Sequence, residues 1–343
     1  MLASSTPNST LYRQTLNRMG WSMLIFIGLF STIQGLTTLV SVAGESVTTP
    51  GLKDLLTALT GIISTIGYML PFFLTGLIYY AMSGRVRTER IAFEVKFPRE
   101  FPLLILAGMA MLTAGAYINS WFCSAIHYTM PADLLLAERY DDVTTVVLYM
   151  TVALAPAFAE EFLFRGVFYT NLRPFGRTQA ILISSLLFAL MHQNIGQLFY
   201  TFVGGIAMAL MYELTGSIWC SVFFHMFNNE MSVLSEVIYY AWGGEASVPY
   251  MTILDAILLG LGVCSLLLLI VYYQKTATHS RCGRRNGILG AEHHAVERFD
   301  RPLSGTSVIK GALCPGIIVF TVTTAVMMGL TWLMLLGMNG GEL

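Results

Sequence analysis

Residues 144–172 read TTVVLYMTVALAPAFAEEFLFRGVFYTNL, an apolar stretch of membrane-spanning length that contains Glu160, Glu161 and Arg165. An ionisable side chain placed at the centre of a bilayer costs about 2.5–3.5 kcal/mol on insertion scales, so such groups usually mark a functional site. Two further apolar stretches downstream carry His192 and the pair His225/Asn229. The sequence therefore predicts a membrane scaffold that surrounds a polar cluster.

The composition places the chain among integral membrane proteins. It has 343 residues, of which 55% are hydrophobic and 11% charged, with a net charge of −1, and its mean hydropathy is +0.66. A soluble domain carries about 25% charged residues. The near-neutral balance predicts no nucleic-acid partner, and the five cysteines form no CxxC pair that would indicate a zinc knuckle or a disulfide framework.

Windows of about twenty apolar residues predict an all-α, polytopic transmembrane helix bundle. We expect nine spans, with eight as the main alternative, because the fifth and sixth windows are short. The predicted spans are 19–43, 57–83, 101–123, 144–172, 179–195, 198–214, 217–242, 251–273 and 313–338.

The basic residues predict an orientation for this bundle. With a cytoplasmic N-terminus, sixteen Lys and Arg residues fall in inside loops, and only Lys53 and Arg139 fall outside. This asymmetry agrees with the positive-inside rule and predicts a multi-pass protein of the cell membrane, most simply a bacterial cytoplasmic membrane.

The chain divides into three parts on this interpretation. We predict N-terminal spans over 1–143, a catalytic membrane core over 144–242, and C-terminal spans over 243–343. A cytoplasmic loop at 274–312 lacks apolar periodicity and reads as a linker or, alternatively, as a docking loop.

The polar residues of three spans are predicted to lie at one depth. Glu160 lies thirteen residues before a hairpin turn at 173–178, and His192 lies fourteen residues after it. At 1.5 Å per residue both side chains are about 20 Å from the turn. His225 and Asn229 enter the seventh span from the same side and reach a similar level.

Helical spacing indicates which side chains meet. Glu161 and Arg165 are four residues apart and can form an ion pair, whereas Glu160 is rotated by about 100° and is free to meet His192. Phe188 lies one turn before His192 and can shield one side of its imidazole.

These groups suit the activation of water. A partly desolvated carboxylate such as Glu160 can accept a proton from water, and His192 can orient that water or share the proton. His225 and Asn229 can donate hydrogen bonds to a developing oxyanion. The cluster therefore predicts peptide-bond hydrolysis without a covalent intermediate.

Three motifs in this region resemble those of one known family. Glu160-Glu161-Phe-Leu-Phe-Arg165 resembles the EExxxR motif of the CAAX protease and bacteriocin-processing (CPBP, or ABI) membrane proteases. Phe188-Ala-Leu-Met-His192 is similar to their FxxxH motif, and His225-Met-Phe-Asn-Asn229 to their HxxxN motif. The segment from Tyr212 to Trp219 is also similar to the family's segment between the last two motifs.

The resemblance implies a metal-independent, glutamate-type intramembrane endopeptidase acting on membrane-associated peptides or proteins. The family's water-activating pair corresponds to Glu160 and His192, and its oxyanion site to His225 and Asn229. Glu161 and Arg165 would support the site. Eukaryotic members cut prenylated tails, whereas bacterial members are linked to peptide maturation, bacteriocin self-immunity or scaffolding, and the sequence selects none of these.

Other functions stay open from the residues alone. The same Glu, His and Asn side chains could ligate zinc, although the chain has no HExxH pair. A transporter could use buried Glu, His and Arg, but no duplicated half of the chain is visible. A scaffold or immunity protein of the same fold, without catalysis, is the third alternative.

Overall fold

The computed structural model describes residues 8–45, 49–83, 91–128, 142–282, 303 and 305–338. Every regular element in these ranges is helical, which confirms the predicted all-α class. The helices are α1 (Asn8–Glu45), α2 (Pro50–Ser83), α3 (Phe101–Ala125), α4 (Asp142–Leu148), α5 (Ala155–Glu161), α6 (Thr170–Leu172), α7 (Arg177–Met191), α8 (Leu198–Thr215), α9 (Ile218–Trp242), α10 (Gly244–Cys282), α11 (Gly305–Ala312) and α12 (Pro315–Met338).

Seven helices in the described ranges are long and apolar enough to cross a membrane, so the protein is a multi-pass membrane protein. They cover Ser9–Val40, Gly51–Ser83, Phe101–Ala125, Thr145–Phe175, Ile195–Thr215, Gly244–Lys275 and Pro315–Leu335.

The predicted count of eight or nine spans is not confirmed. Helix α7 has 15 residues and is about 22 Å long, shorter than the roughly 30 Å hydrocarbon core. Helix α9 has 25 residues but is not among the helices of sufficient hydropathy. Its polar side chains include His225 and Asn229, so the candidate site residues themselves lower the hydropathy of this helix.

The segment from α4 to α6 is one nearly continuous rod with two π-helical stretches, Tyr149–Leu154 and Phe162–Tyr169, on either side of α5. Pro156 lies in the first turn of α5 and has no N–H to donate to the carbonyl four residues earlier. Such π-helical stretches often occur at functional sites. Here they flank the turn that carries Glu160 and Glu161.

The turn predicted at 173–178 is confirmed. A 3₁₀ turn at Arg173–Phe175 is followed by Gly176 and the start of α7. Glu213, near the end of α8, pairs with both arginines of this turn: its Oε2 lies 2.6 Å from Arg173 Nε and its Oε1 lies 2.6 Å from Arg177 Nε. This ion cluster joins the hairpin turn to the end of α8.

Close helix packing brings the polar segments together. Helix α7 lies along α8, where a Cβ atom added at Gly205 would lie 2.8 Å from Ser185 Cβ and 2.9 Å from its Cα. Helix α8 ends at Gly216, whose φ of +68° is left-handed and favours glycine. The chain then enters α9 within two residues.

An extended segment at 91–98 binds the start of α9. The Ile218 amide donates to the Ala92 carbonyl at 3.1 Å, and the Trp219 indole donates to the Phe93 carbonyl at 2.9 Å. The Ser217 hydroxyl donates to the Glu94 carbonyl at 2.7 Å. The segment therefore anchors the helix that carries His225.

The loop predicted at 274–312 is partly helical, because α10 continues to Cys282 and α11 covers Gly305–Ala312. Residues 283–302 and 304 lie outside the described residues. The three-part division of the chain stays a prediction.

Candidate active site

Glu161 is the centre of a buried ion and hydrogen-bond cluster. Its Oε1 accepts from Arg165 Nη1 at 2.8 Å, and both side chains are 0% exposed. The same oxygen lies 3.0 Å from His225 Nδ1, and Oε2 accepts from the Ser221 hydroxyl. The predicted pair of Glu161 and Arg165 is therefore present, and it extends to α9.

Arg165 is held on two further sides. Its Nη2 donates to the Gly205 carbonyl on α8 at 2.8 Å, and its Cζ lies 4.6 Å from the centre of the Phe188 ring, a distance typical of a cation–π contact. One arginine thus ties α8 and a residue of α7 to Glu161.

Glu160 is buried, and only one of its two carboxylate oxygens has a hydrogen-bond partner. Its Oε1 accepts from the hydroxyl of Tyr68 on α2. Its Oε2 has no hydrogen-bond partner and lies 3.9 Å from His225 Nε2. Glu160 is 3% exposed, so this oxygen lies in a nearly dry setting rather than on a solvated surface.

His225 lies between the two carboxylates. A carboxylate oxygen can only accept, so Nδ1 donates to Glu161 and Nε2 faces Glu160. Ser221, His225 and Asn229 are spaced by four residues and share one face of α9. This face is turned toward the α5 segment.

His192 ends α7, and its ring is fixed by Phe188. Nδ1 lies 2.8 Å from the Phe188 carbonyl, which makes this nitrogen the donor; in the neutral imidazole Nε2 is then an acceptor. The two rings also meet edge to face, with centroids 4.9 Å apart. The predicted shielding of His192 by Phe188 is therefore present.

Asn229 is oriented by the irregular backbone before α5. Pro156 cannot donate to the Val152 carbonyl four residues earlier, and this carbonyl accepts from Asn229 Nδ2 at 3.0 Å. Asn229 Oδ1 accepts from Asn228 at 3.2 Å. An amide nitrogen carries two hydrogens, so one N–H of Asn229 stays available for a ligand.

The predicted catalytic residues surround one cavity of about 790 Å³. Glu160, His192, His225 and Asn229 all line it, together with Phe188, whereas Glu161 and Arg165 lie buried beside it. Its other lining residues supply both apolar surface and hydroxyl or amide groups, among them Leu112, Met208, Phe224, Tyr200, Asn228, Ser232 and Ser235. A cavity of this size can accept several residues of an extended peptide.

Two contacts of the candidate site were not predicted from the sequence, those of Ser221 with Glu161 and of Tyr68 with Glu160. Ser221 could have been found, because it lies one turn before His225 on the face that also carries Asn229. Tyr68 could not, because it belongs to an apolar helix 92 residues before its partner Glu160. Within the described ranges, no group of three or more His, Cys, Asp or Glu side chains is arranged to hold a metal ion.

A comparison with models of protein families identifies the family that this region resembles. Residues 142–231 match the model described as type II CAAX prenyl endopeptidase Rce1-like. These residues form an Rce1-like domain of the CPBP family. The resemblance inferred from the three motifs is thereby confirmed. The matched residues of this Rce1-like domain run from α4 into α9 and include every predicted site residue. Comparisons with curated proteins and with solved structures give no match.

Proposed function

We propose that the chain is an intramembrane endopeptidase that hydrolyses peptide bonds of membrane-associated peptides or proteins with an activated water molecule. The observation that carries this proposal is the free Oε2 of Glu160, a buried carboxylate oxygen 3.9 Å from His225 Nε2 at the edge of the cavity. A buried carboxylate oxygen without a hydrogen-bond partner is unfavourable, and a chemical role would explain its presence.

Glu160 Oε2 and His225 Nε2 are too far apart for a direct hydrogen bond, which leaves Oε2 free to bind the attacking water molecule. Glu160 Oε2 then accepts a proton from the water as its oxygen attacks the peptide carbonyl carbon. His192 Nε2, an acceptor on the same cavity, orients the water or shares the proton.

The tetrahedral intermediate carries a negative oxygen, and Asn229 and His225 are its proposed donors. The available N–H of Asn229 supplies one hydrogen bond. His225 Nε2, which faces Glu160, can supply the second when it carries a proton.

Breakdown of the intermediate returns the proton. The peptide C–N bond breaks as protonated Glu160 donates to the leaving nitrogen, and the products are one new carboxyl terminus and one new amino terminus. Glu161 touches no reacting atom in this scheme and instead holds His225 and Arg165 in place.

The proposal is tested by comparing peptide termini in cells with wild-type protein or with Glu160→Ala at matched protein levels. Mass spectrometry of membrane and secreted peptides should find new termini near a membrane segment only in wild-type cells. Identical termini, together with a cellular phenotype that survives in the variant, would replace the protease with the scaffold alternative.

A further inference from the structure

The hydroxyl group that donates to Glu160 belongs to a residue outside the matched domain. Tyr68 lies on α2, whereas the family match begins at residue 142, and its hydroxyl donates to Glu160 Oε1. Tyr68 also lines the cavity. Among the described contacts of the Glu160 side chain, this is the only hydrogen bond.

An aromatic cluster from α1 and α2, formed by Phe26, Phe30, Tyr68 and Phe72, fixes the Tyr68 ring. The ring meets Phe30 edge to face with centroids 5.4 Å apart, and it lies 5.3 Å from Phe72. Phe26 packs against Phe72 at 4.7 Å. Since such pairs resist rotation of the ring, the hydroxyl has a defined position before any substrate binds.

The hydrogen bond selects which oxygen of Glu160 reacts. Because Oε1 is bound to the phenol, Oε2 is the oxygen without a hydrogen-bond partner, and it lies beside His225 at the edge of the cavity. A charge-assisted hydrogen bond also stabilises the ionised carboxylate that accepts the proton of water. Both effects act through Glu160.

We propose that Tyr68 is a positioning residue for Glu160, so that the N-terminal helix pair completes a site that residues 142–231 leave without this donor. This inference rests on the proposed endopeptidase function. It predicts that removing one hydroxyl on α2 weakens catalysis without removing any residue of the Rce1-like domain.

The first test compares Tyr68→Phe with Tyr79→Phe, using the membrane peptide identified by the terminus comparison and purified protein in liposomes. Tyr79 is buried on the same helix, about three turns away, and provides a matched control. Tyr68→Phe should lower kcat by about 10- to 100-fold with KM unchanged, since a hydrogen bond to a charged group is lost. Tyr79→Phe should keep wild-type kcat.

A kcat for Tyr68→Phe within twofold of wild type would overturn the inference, as would a change confined to KM. If Glu160→Gln also kept wild-type kcat, the proposed function itself would fail. If Glu160→Gln were inactive and Tyr68→Phe fully active, only the role of Tyr68 would fail.

A second test reads the contact without substrate. Infrared spectra of protein labelled with ¹³C-glutamate contain a carboxylate band of Glu160, identified by its loss in Glu160→Gln. That band should shift in Tyr68→Phe and stay unchanged in Tyr79→Phe. An unshifted band in Tyr68→Phe would show that the phenol does not bind Glu160, whatever the activity.

Discussion

The adjacent acids Glu160 and Glu161 should respond in opposite ways to the same isosteric change. Glu161 is the only acid that pairs directly with Arg165 among the described contacts, and both side chains are 0% exposed. Glu161→Gln keeps the shape but removes the charge, which leaves Arg165 buried with a carbonyl and an aromatic ring. Breaking a buried ion pair in this way lowers the free energy of unfolding by about 3–5 kcal/mol.

Glu160→Gln should not destabilise the fold. Oε2 of Glu160 has no hydrogen-bond partner, so the substitution breaks no hydrogen bond at this atom, and the remaining amide oxygen can still accept from Tyr68. We expect a free energy of unfolding within about 1 kcal/mol of wild type, or higher, as is common where an active site trades stability for function. Cleavage should nevertheless be lost.

Thermal unfolding of both variants in one detergent measures this contrast. For a chain of 343 residues, a loss of 3–5 kcal/mol corresponds to a drop in Tm of about 4–7 °C. The reasoning is refuted if Glu161→Gln unfolds within about 2 °C of wild type, or if Glu160→Gln is destabilised as strongly as Glu161→Gln.

Three further predictions concern packing, the second ion cluster and metal dependence. Gly205→Val should lower the free energy of unfolding by about 1–3 kcal/mol, because a Cβ at this position lies 2.9 Å from the Cα of Ser185 and forces α7 and α8 apart. Gly260→Val is the control, since a Cβ there has no atom within 4 Å. Equal Tm values for the two variants would contradict the packing argument. Glu213→Gln weakens the ion pair to Arg173 and should lower stability by about 2 kcal/mol, with an unchanged Tm as the contrary result. Cleavage by the purified protein should be unaffected by EDTA or 1,10-phenanthroline, whereas loss with recovery on adding Zn²⁺ would favour a zinc enzyme.

The site residues were predictable because their chemistry conflicts with their surroundings. Glu160, His192 and His225 are polar groups in apolar stretches, and counting residues from the turn at 173–178 placed them at one level. The structure brings them around one cavity. Their catalytic roles stay a prediction.

Contacts from the N-terminal half could not be predicted, for a physical reason. A tyrosine in an apolar helix is equally typical of packing and of the membrane interface, so nothing local in α2 marks Tyr68. The extended segment at 91–98 binds α9 mainly through its backbone carbonyls, which leaves no residue signature. The expectation that Glu160 is free to meet His192 followed from a shared depth and from the rotation of Glu160 by about 100° from Glu161. Neither fixes which neighbour the side chain contacts, and the described partners of Glu160 are Tyr68 and His225.

The number of spans was difficult to predict for a related reason. A helix that carries site residues loses hydropathy, so α9 does not meet the criterion for a span although its length suffices. Hydropathy is therefore least informative for a helix that carries candidate site residues.

The central claim is that this chain hydrolyses a peptide bond with water activated at Glu160. The most direct measurement uses purified protein in liposomes with the identified membrane peptide in H₂¹⁸O, comparing wild type with Glu160→Gln. We expect the wild-type protein alone to produce two fragments, with one ¹⁸O in the new carboxyl terminus. Cleavage by Glu160→Gln at the wild-type rate, or no cleavage by the folded wild-type protein, would contradict the account.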